Sequence, residues 1–150
     1  MDKNHRWLIE HFIRCEPNDK YEIEKYYNDF GLKGYVDLYM RDEEEGKIDI
    51  YEFKSKIDDV GDILRQLNTP SRIYESHGKI TKILVCFASK ENLKVLEENK
   101  FIFKTSQIRI VFPFLHKDKV CFSFYDADID FYKLVSGWQE RGLKFLERSL

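Results

Sequence analysis

The chain has 150 residues, 35% of them charged and 43% hydrophobic, with nine Tyr and twelve Phe. That suffices for one hydrophobic core, is too short for two ordinary domains and is too aromatic for a disordered chain. A formal net charge of -2 argues against a protein that coats nucleic acid through excess Lys and Arg, but not against an enzyme that gathers carboxylates at one site.

No apolar stretch approaches a membrane span, so no membrane partner is expected, and the opening MDKNHRWLIEHFIRCE mixes charges into its apolar residues, which reads as a cytoplasmic, intracellular protein. Cys15, Cys86 and Cys121 are odd in number and widely spaced, which gives neither a disulfide framework nor a CxxC zinc knuckle; Cys86 and Cys121 read as buried hydrophobes. His5, His11, His77 and His116 show no HExxH or paired-ligand spacing, and no Walker loop or GxGxxG occurs.

In chain order, residues 4–15 read as a helix with Leu8, Ile9, Phe12 and Ile13 on its apolar face, Asn4 as N-cap and Pro17 as its end. Tyr21–Tyr27 reads as a strand before the turn chemistry of Asn28, Asp29, Phe30 and Gly31, and strands follow near 35–40 and 48–54. A helix starts at Asp58 or Asp59 with Asp62 also in its first turn; Val60, Ile63, Leu64 and Leu67 form its buried stripe, and Pro70 is expected to kink it or restart it with Thr69 as a second N-cap.

The run KILVCFA, 82–88, predicts a strand covered on both faces. Ser89 caps a helix over 90–99, and a strand at 108–112, stopped by Pro113, completes a crossover between parallel neighbours. A turn at His116–Lys119, a strand at 120–125 and a closing helix from 129 to 146, with Phe131, Leu134, Val135, Trp138 and Phe145 on its apolar face, finish the chain. The pattern predicts one α/β domain over 1–150, a central mixed sheet flanked by helices.

The chemistry lies in residues 34–56, GYVDLYMRDEEEGKIDIYEFKSK. Strand alternation projects Glu52 and Lys54 to one face and Phe53 to the other. A hairpin symmetric about Glu44 and Glu45, with Gly46 helping the turn, sets Asp37 opposite Glu52. Two facing carboxylates repel, and a hard divalent cation between them relieves the repulsion. Lys54 beside such a cation can stabilise negative charge developing on phosphorus or support the attacking water.

An Asp within one strand, E-x-K on the next and a helix carrying a glutamine resemble the PD-(D/E)XK nuclease superfamily, in organisation the Holliday-junction resolvases and RecB-like exonucleases. Val36 stands where that family usually has proline, and Pro70 stands one turn after Gln66 where RecB-type members carry an aromatic, with Tyr74 a further turn on. The resemblance implies a restriction-endonuclease-like core, a metal-dependent deoxyribonuclease with DNA as substrate, and Mg2+ (or Mn2+) as cofactor. It implies Asp37 and Glu52 as metal ligands, the Phe53 carbonyl as a further ligand, Lys54 as the catalytic lysine and Gln66 as an organiser of the site. It also implies an acidic ligand from the first helix, for which Glu10 is the candidate, with Glu22 and Glu24 as alternatives.

Arg6, Glu10 and Arg14 recur every four residues and read equally as a solvated stripe. Lys56, Arg65, Arg72 and Lys79 are candidates for the phosphate backbone. Resolvase-like members act as homodimers, for which the aromatic excess of the C-terminal half offers an interface. The competing reading is a catalytically inactive nuclease-fold protein acting in nucleic-acid binding or complex assembly.

Overall fold

The computed structural model describes residues 2–150. Helix α1 spans Lys3–Cys15, and a three-stranded meander follows as β1 (Tyr21–Asp29), β2 (Leu32–Asp42) and β3 (Lys47–Lys54). Helix α2 (Val60–Tyr74), a 3-10 turn at Glu75–His77, β4 (Lys79–Cys86), α3 (Lys90–Glu98), α4 (Lys100–Thr105) and β5 (Ile108–His116) come next. The hairpin partner β6 (Lys119–Tyr125), α5 (Phe131–Glu140) and a two-residue strand β7 (Lys144–Phe145) end the chain.

The strands form one mixed seven-stranded sheet in the order β1-β2-β3-β4-β5-β6, with β7 against β5. β3, β4 and β5 run parallel and the other pairs antiparallel. On one face α1 buries Leu8, Ile9 and Phe12 against Leu38, Tyr51, Phe53, Val85 and Phe122. On the other, Ile63 and Leu67 of α2, Leu93 and Leu96 of α3 and Phe131 of α5 cover Ile48, Ile50, Leu84 and Ile110. Burial of these side chains is the main stabilising term, at about 25 cal/mol per Å² of apolar surface. No helix among the described residues is long and apolar enough to cross a membrane.

Several expectations are corrected. The N-cap of α1 is Asp2, whose carboxylate accepts from His5 N–H at 2.8 Å, not Asn4. Helix α2 neither restarts nor ends at Pro70: the ring is buried on the core face, so packing outweighs the lost hydrogen bond, and the Ser71 hydroxyl donates to the Leu67 carbonyl at 2.6 Å. α4 was not expected.

Pro113 does not stop β5, which runs on to His116. Its carbonyl accepts from Leu146 N–H at 2.9 Å, and the ring nitrogen of a strand residue faces the same side as its carbonyl. On that side the β4 ladder has ended at Val111 and the β7 ladder begins at Phe114, so no donor is missed. The closing helix stops at Glu140; Gly142 takes a left-handed φ of +78° and reverses the chain, placing Phe145 in β7 instead of on a helix. Cys86 is fully buried as expected, whereas Cys121 is only half-buried. Among the described residues five exposed large hydrophobics lie on the β1–β2 hairpin (Ile23, Tyr26, Phe30, Leu32, Tyr35) and four in the C-terminal half (Phe101, Ile102, Tyr132, Leu150).

Candidate active site

Strand β3 presents Ile48, Ile50, Glu52 and Lys54 to the α2 face of the sheet, because alternate residues share a face. Phe53 turns the other way and packs edge-on against Phe12, ring centroids 5.7 Å apart. The β2–β3 pairs run from Asp42↔Lys47 to Leu38↔Tyr51, which is the register expected from the sequence. One step further along it, Asp37 is level with Glu52.

The ladder ends before that step because β2 turns over there. Val36 and Tyr39, three residues apart, both pack on the α2 face, while Leu38 packs on the α1 face. In β1 the residue level with Asp37 is Glu24, which has no ladder partner and holds a left-handed φ of +53°. Freed from the ladder, the Asp37 carboxylate accepts from Phe53 N–H at 2.9 Å and meets His5 Nε2 at 3.2 Å.

Glu52 is only 4% exposed. With the Gln66 amide nitrogen turned towards it, Gln66 donates to Oε1 at 2.8 Å and Oε2 at 3.1 Å. The Lys54 ammonium stands 3.8 Å from Glu52 and 3.6 Å from Asp62, whose other oxygen is held by Arg65. Asp62 and Gln66 lie one turn apart on α2, so the helix addresses both ends of the E-x-K triplet from one face.

Burial, and next the Asp37 carboxylate, push Glu52 up to about 9. Burial alone would raise Asp37 as well, but its bonds to His5 and Phe53 N–H outweigh that and hold it below the usual range. Burial and the neighbouring half-buried Asp37 thus disfavour the charged form of Glu52, against the pull of the Lys54 ammonium.

The structure thus brings together Asp37, Glu52, Phe53, Lys54 and Gln66. Glu10 is exposed on α1, away from the face that buries Leu8, Ile9 and Phe12; the α1 residue at the site is His5. Glu22 is exposed and paired with Lys25 at 3.4 Å, and Glu24 is exposed beside the turnover of β2. Of the basic candidates, Arg65 flanks the site, Lys56 pairs with Asp58 at 3.7 Å, Arg72 is exposed further along α2, and Lys79 lies at the opposite end of the sheet, paired in register with Lys47.

Sequence reasoning passed over three residues. His5 shares the α1 face of Leu8 and Phe12, a spacing of three and four that signals its direction. Asp62 read as a helix-start charge. Asn92, fully buried, accepts from Ile57 N–H at 2.9 Å and donates to the carbonyls of Ser55 at 3.0 Å and Phe87 at 2.9 Å. It pins the loop that follows Lys54 to the end of β4, and no local motif announces it.

Among the described residues no group of three or more His, Cys, Asp or Glu side chains is arranged to hold a metal ion. The donor set is two carboxylates and a backbone carbonyl, which fits Mg2+, a cation that keeps several waters and takes one or two carboxylates. Comparison of the chain with protein-family models, with curated proteins and with solved structures gave no match.

Proposed function

We propose that this protein is a metal-dependent nuclease of the PD-(D/E)XK type, with a restriction-endonuclease-like core, that hydrolyses DNA phosphodiester bonds. The observation that carries this reading is the burial of Glu52 level with Asp37, with Lys54 two residues on and Gln66 on the carboxylate. A core that only needed stability would hold apolar residues there.

Asp37, Glu52 and the Phe53 carbonyl would hold Mg2+ or Mn2+, and His5 Nε2–H would steady the Asp37 carboxylate from the α1 side. The cation supplies Lewis-acid stabilisation of charge building on the phosphoryl oxygens. Gln66 fixes the orientation of Glu52, and Phe53 N–H fixes Asp37. Lys54 places its ammonium where it can face a non-bridging oxygen of the phosphodiester and the attacking water.

A second reading has its own support. Asp37 is engaged by His5 and Phe53 N–H, and Lys54 by Asp62, so these groups are partnered without any ligand. With the exposed Tyr26, Phe30 and Tyr35 on the β1–β2 hairpin as a further surface, the protein suits an inactive nuclease-fold role in nucleic-acid binding or assembly with partners.

The two readings separate on incubation with linear and circular, single- and double-stranded DNA in Mg2+, Mn2+ and EDTA, beside Glu52→Ala and Lys54→Ala. Metal-dependent cutting lost in both variants supports the nuclease. Folded wild type that cuts no substrate supports the assembly protein.

A further inference from the structure

We propose that Asp62 is a positioning residue that holds the Lys54 ammonium and the Arg65 guanidinium together as one seat for a phosphodiester group. The role of that seat in catalysis rests on the nuclease reading above. The geometry of Asp62 itself does not.

Asp62 lies in the first turn of α2, where a carboxylate is ordinarily explained by the exposed N–H groups and the helix dipole. Here that task falls to Asp59, the N-cap, whose Oδ1 accepts from Asp62 N–H at 3.2 Å. The Asp62 side chain is turned elsewhere: Oδ2 lies 3.6 Å from Lys54 Nζ, and Oδ1 accepts from Arg65 Nη2. Lys54 is therefore held between carboxylates of two different elements, Glu52 at 3.8 Å and Asp62. Gln66, one turn on, holds Glu52 in the same way. One helix face thus sets both functional groups of the E-x-K triplet.

Asp62 gathers two cations, Lys54 and Arg65, at one place, and a phosphodiester monoanion complements that pair. Its non-bridging oxygens would find Lys54 and Arg65 already gathered, with Asp62 behind them. Lysine is otherwise a flexible point charge on a four-carbon stem, so its value in a transition state depends on such a hold. Arg65 is two-thirds exposed and reaches solvent beyond Lys54, as a group that meets the substrate backbone must.

The test is residue-resolved acetylation of lysines, read by mass spectrometry in EDTA, on wild type, Asp62→Asn and Asp58→Asn, with DNA cleavage measured on the same preparations in Mg2+. Asp58 is exposed, pairs with Lys56 and removes the same charge from the same helix end, so it controls for the dipole. The expected result is Lys54 acetylated about threefold faster in Asp62→Asn alone, with kcat down about tenfold and KM little changed, as for a group whose position matters chiefly in the transition state. Unchanged Lys54 labelling in Asp62→Asn overturns the proposal, as does unchanged kcat. Faster labelling in a preparation whose wild type cuts no DNA supports the hold on Lys54 and removes the nuclease reading instead.

Discussion

Glu52→Gln should abolish the loss of stability with rising pH that Glu52 imposes on the cation-free protein. Glu52 titrates at about 9 in the fold against an ordinary 4.5, a raised value, so the folded chain retains a proton that the unfolded chain releases. Its contribution to stability is complete below about pH 4.5 and is lost progressively as pH rises towards about 9. One proton corresponds to ~1.4 kcal/mol per pH unit, so at most roughly 4 kcal/mol is lost between about pH 5 and about pH 8. Glutamine keeps the shape and accepts from Gln66, but has nothing to ionise.

Urea unfolding in EDTA across that range should show wild type losing stability relative to Glu52→Gln with each unit, the variant being the more stable at about pH 8. Comparison of the two proteins cancels the other titrating groups, among them Asp49, which burial also raises. Added Mg2+ or Mn2+ should recover the wild type at the alkaline end and leave the variant unmoved. Parallel profiles for the two proteins would refute the reasoning, since they would mean that Glu52 ionises freely where it lies.

Asp37→Asn should show the opposite pH sign: the Asp37 value is lowered, so its stabilisation is present above about pH 4 and fades in acid, and the gap between wild type and variant should close as pH falls. Asp37→Ala leaves Phe53 N–H and His5 without their acceptor and should cost about 1–3 kcal/mol in denaturant unfolding at pH 7, with loss of any metal-dependent cleavage. Asn92→Ala removes three side-chain hydrogen bonds, two of them buried, and frees the loop after Lys54; a loss of about 2–4 kcal/mol is expected, with faster amide exchange at Ile57. Gly34→Ala would set a methyl 2.6 Å from the Tyr27 hydroxyl oxygen and 2.9 Å from its ring, so Tyr27 must leave its place over β2. A cost of about 1–3 kcal/mol and a changed near-ultraviolet dichroism should follow.

Much of the sheet could be read from the chain because local chemistry dictated it. The Glu44–Glu45 centre and Gly46, with φ of +63°, fixed the β2–β3 register, and Ser89 and Asp59 cap the helices where their side chains predict. The turn expected at His116–Lys119 is present before β6, with Lys117 and Asp118 at positive φ. Failures arose where tertiary contacts overrule a local rule. Pro70 is carried inside a helix by burial, Pro113 sits at a step between two partner strands, and the chain after Glu140 joins a sheet edge that the sequence does not reveal. At the site, Asp37, Glu52, Lys54 and Gln66 were legible as types at a spacing. His5, Asp62 and Asn92 were not, because each acquires its meaning from a partner 32, 8 or 35 residues away.

The claim on which the account rests is that Asp37 and Glu52 together hold a divalent cation. Calorimetric titration of Mn2+ into wild type, Asp37→Asn, Glu52→Gln and Lys54→Ala at pH 8 tests it most directly. The account predicts one site per chain in wild type and in Lys54→Ala, with binding lost in both carboxylate variants. Wild type that takes up no Mn2+, or carboxylate variants that bind it as well as wild type does, would contradict it.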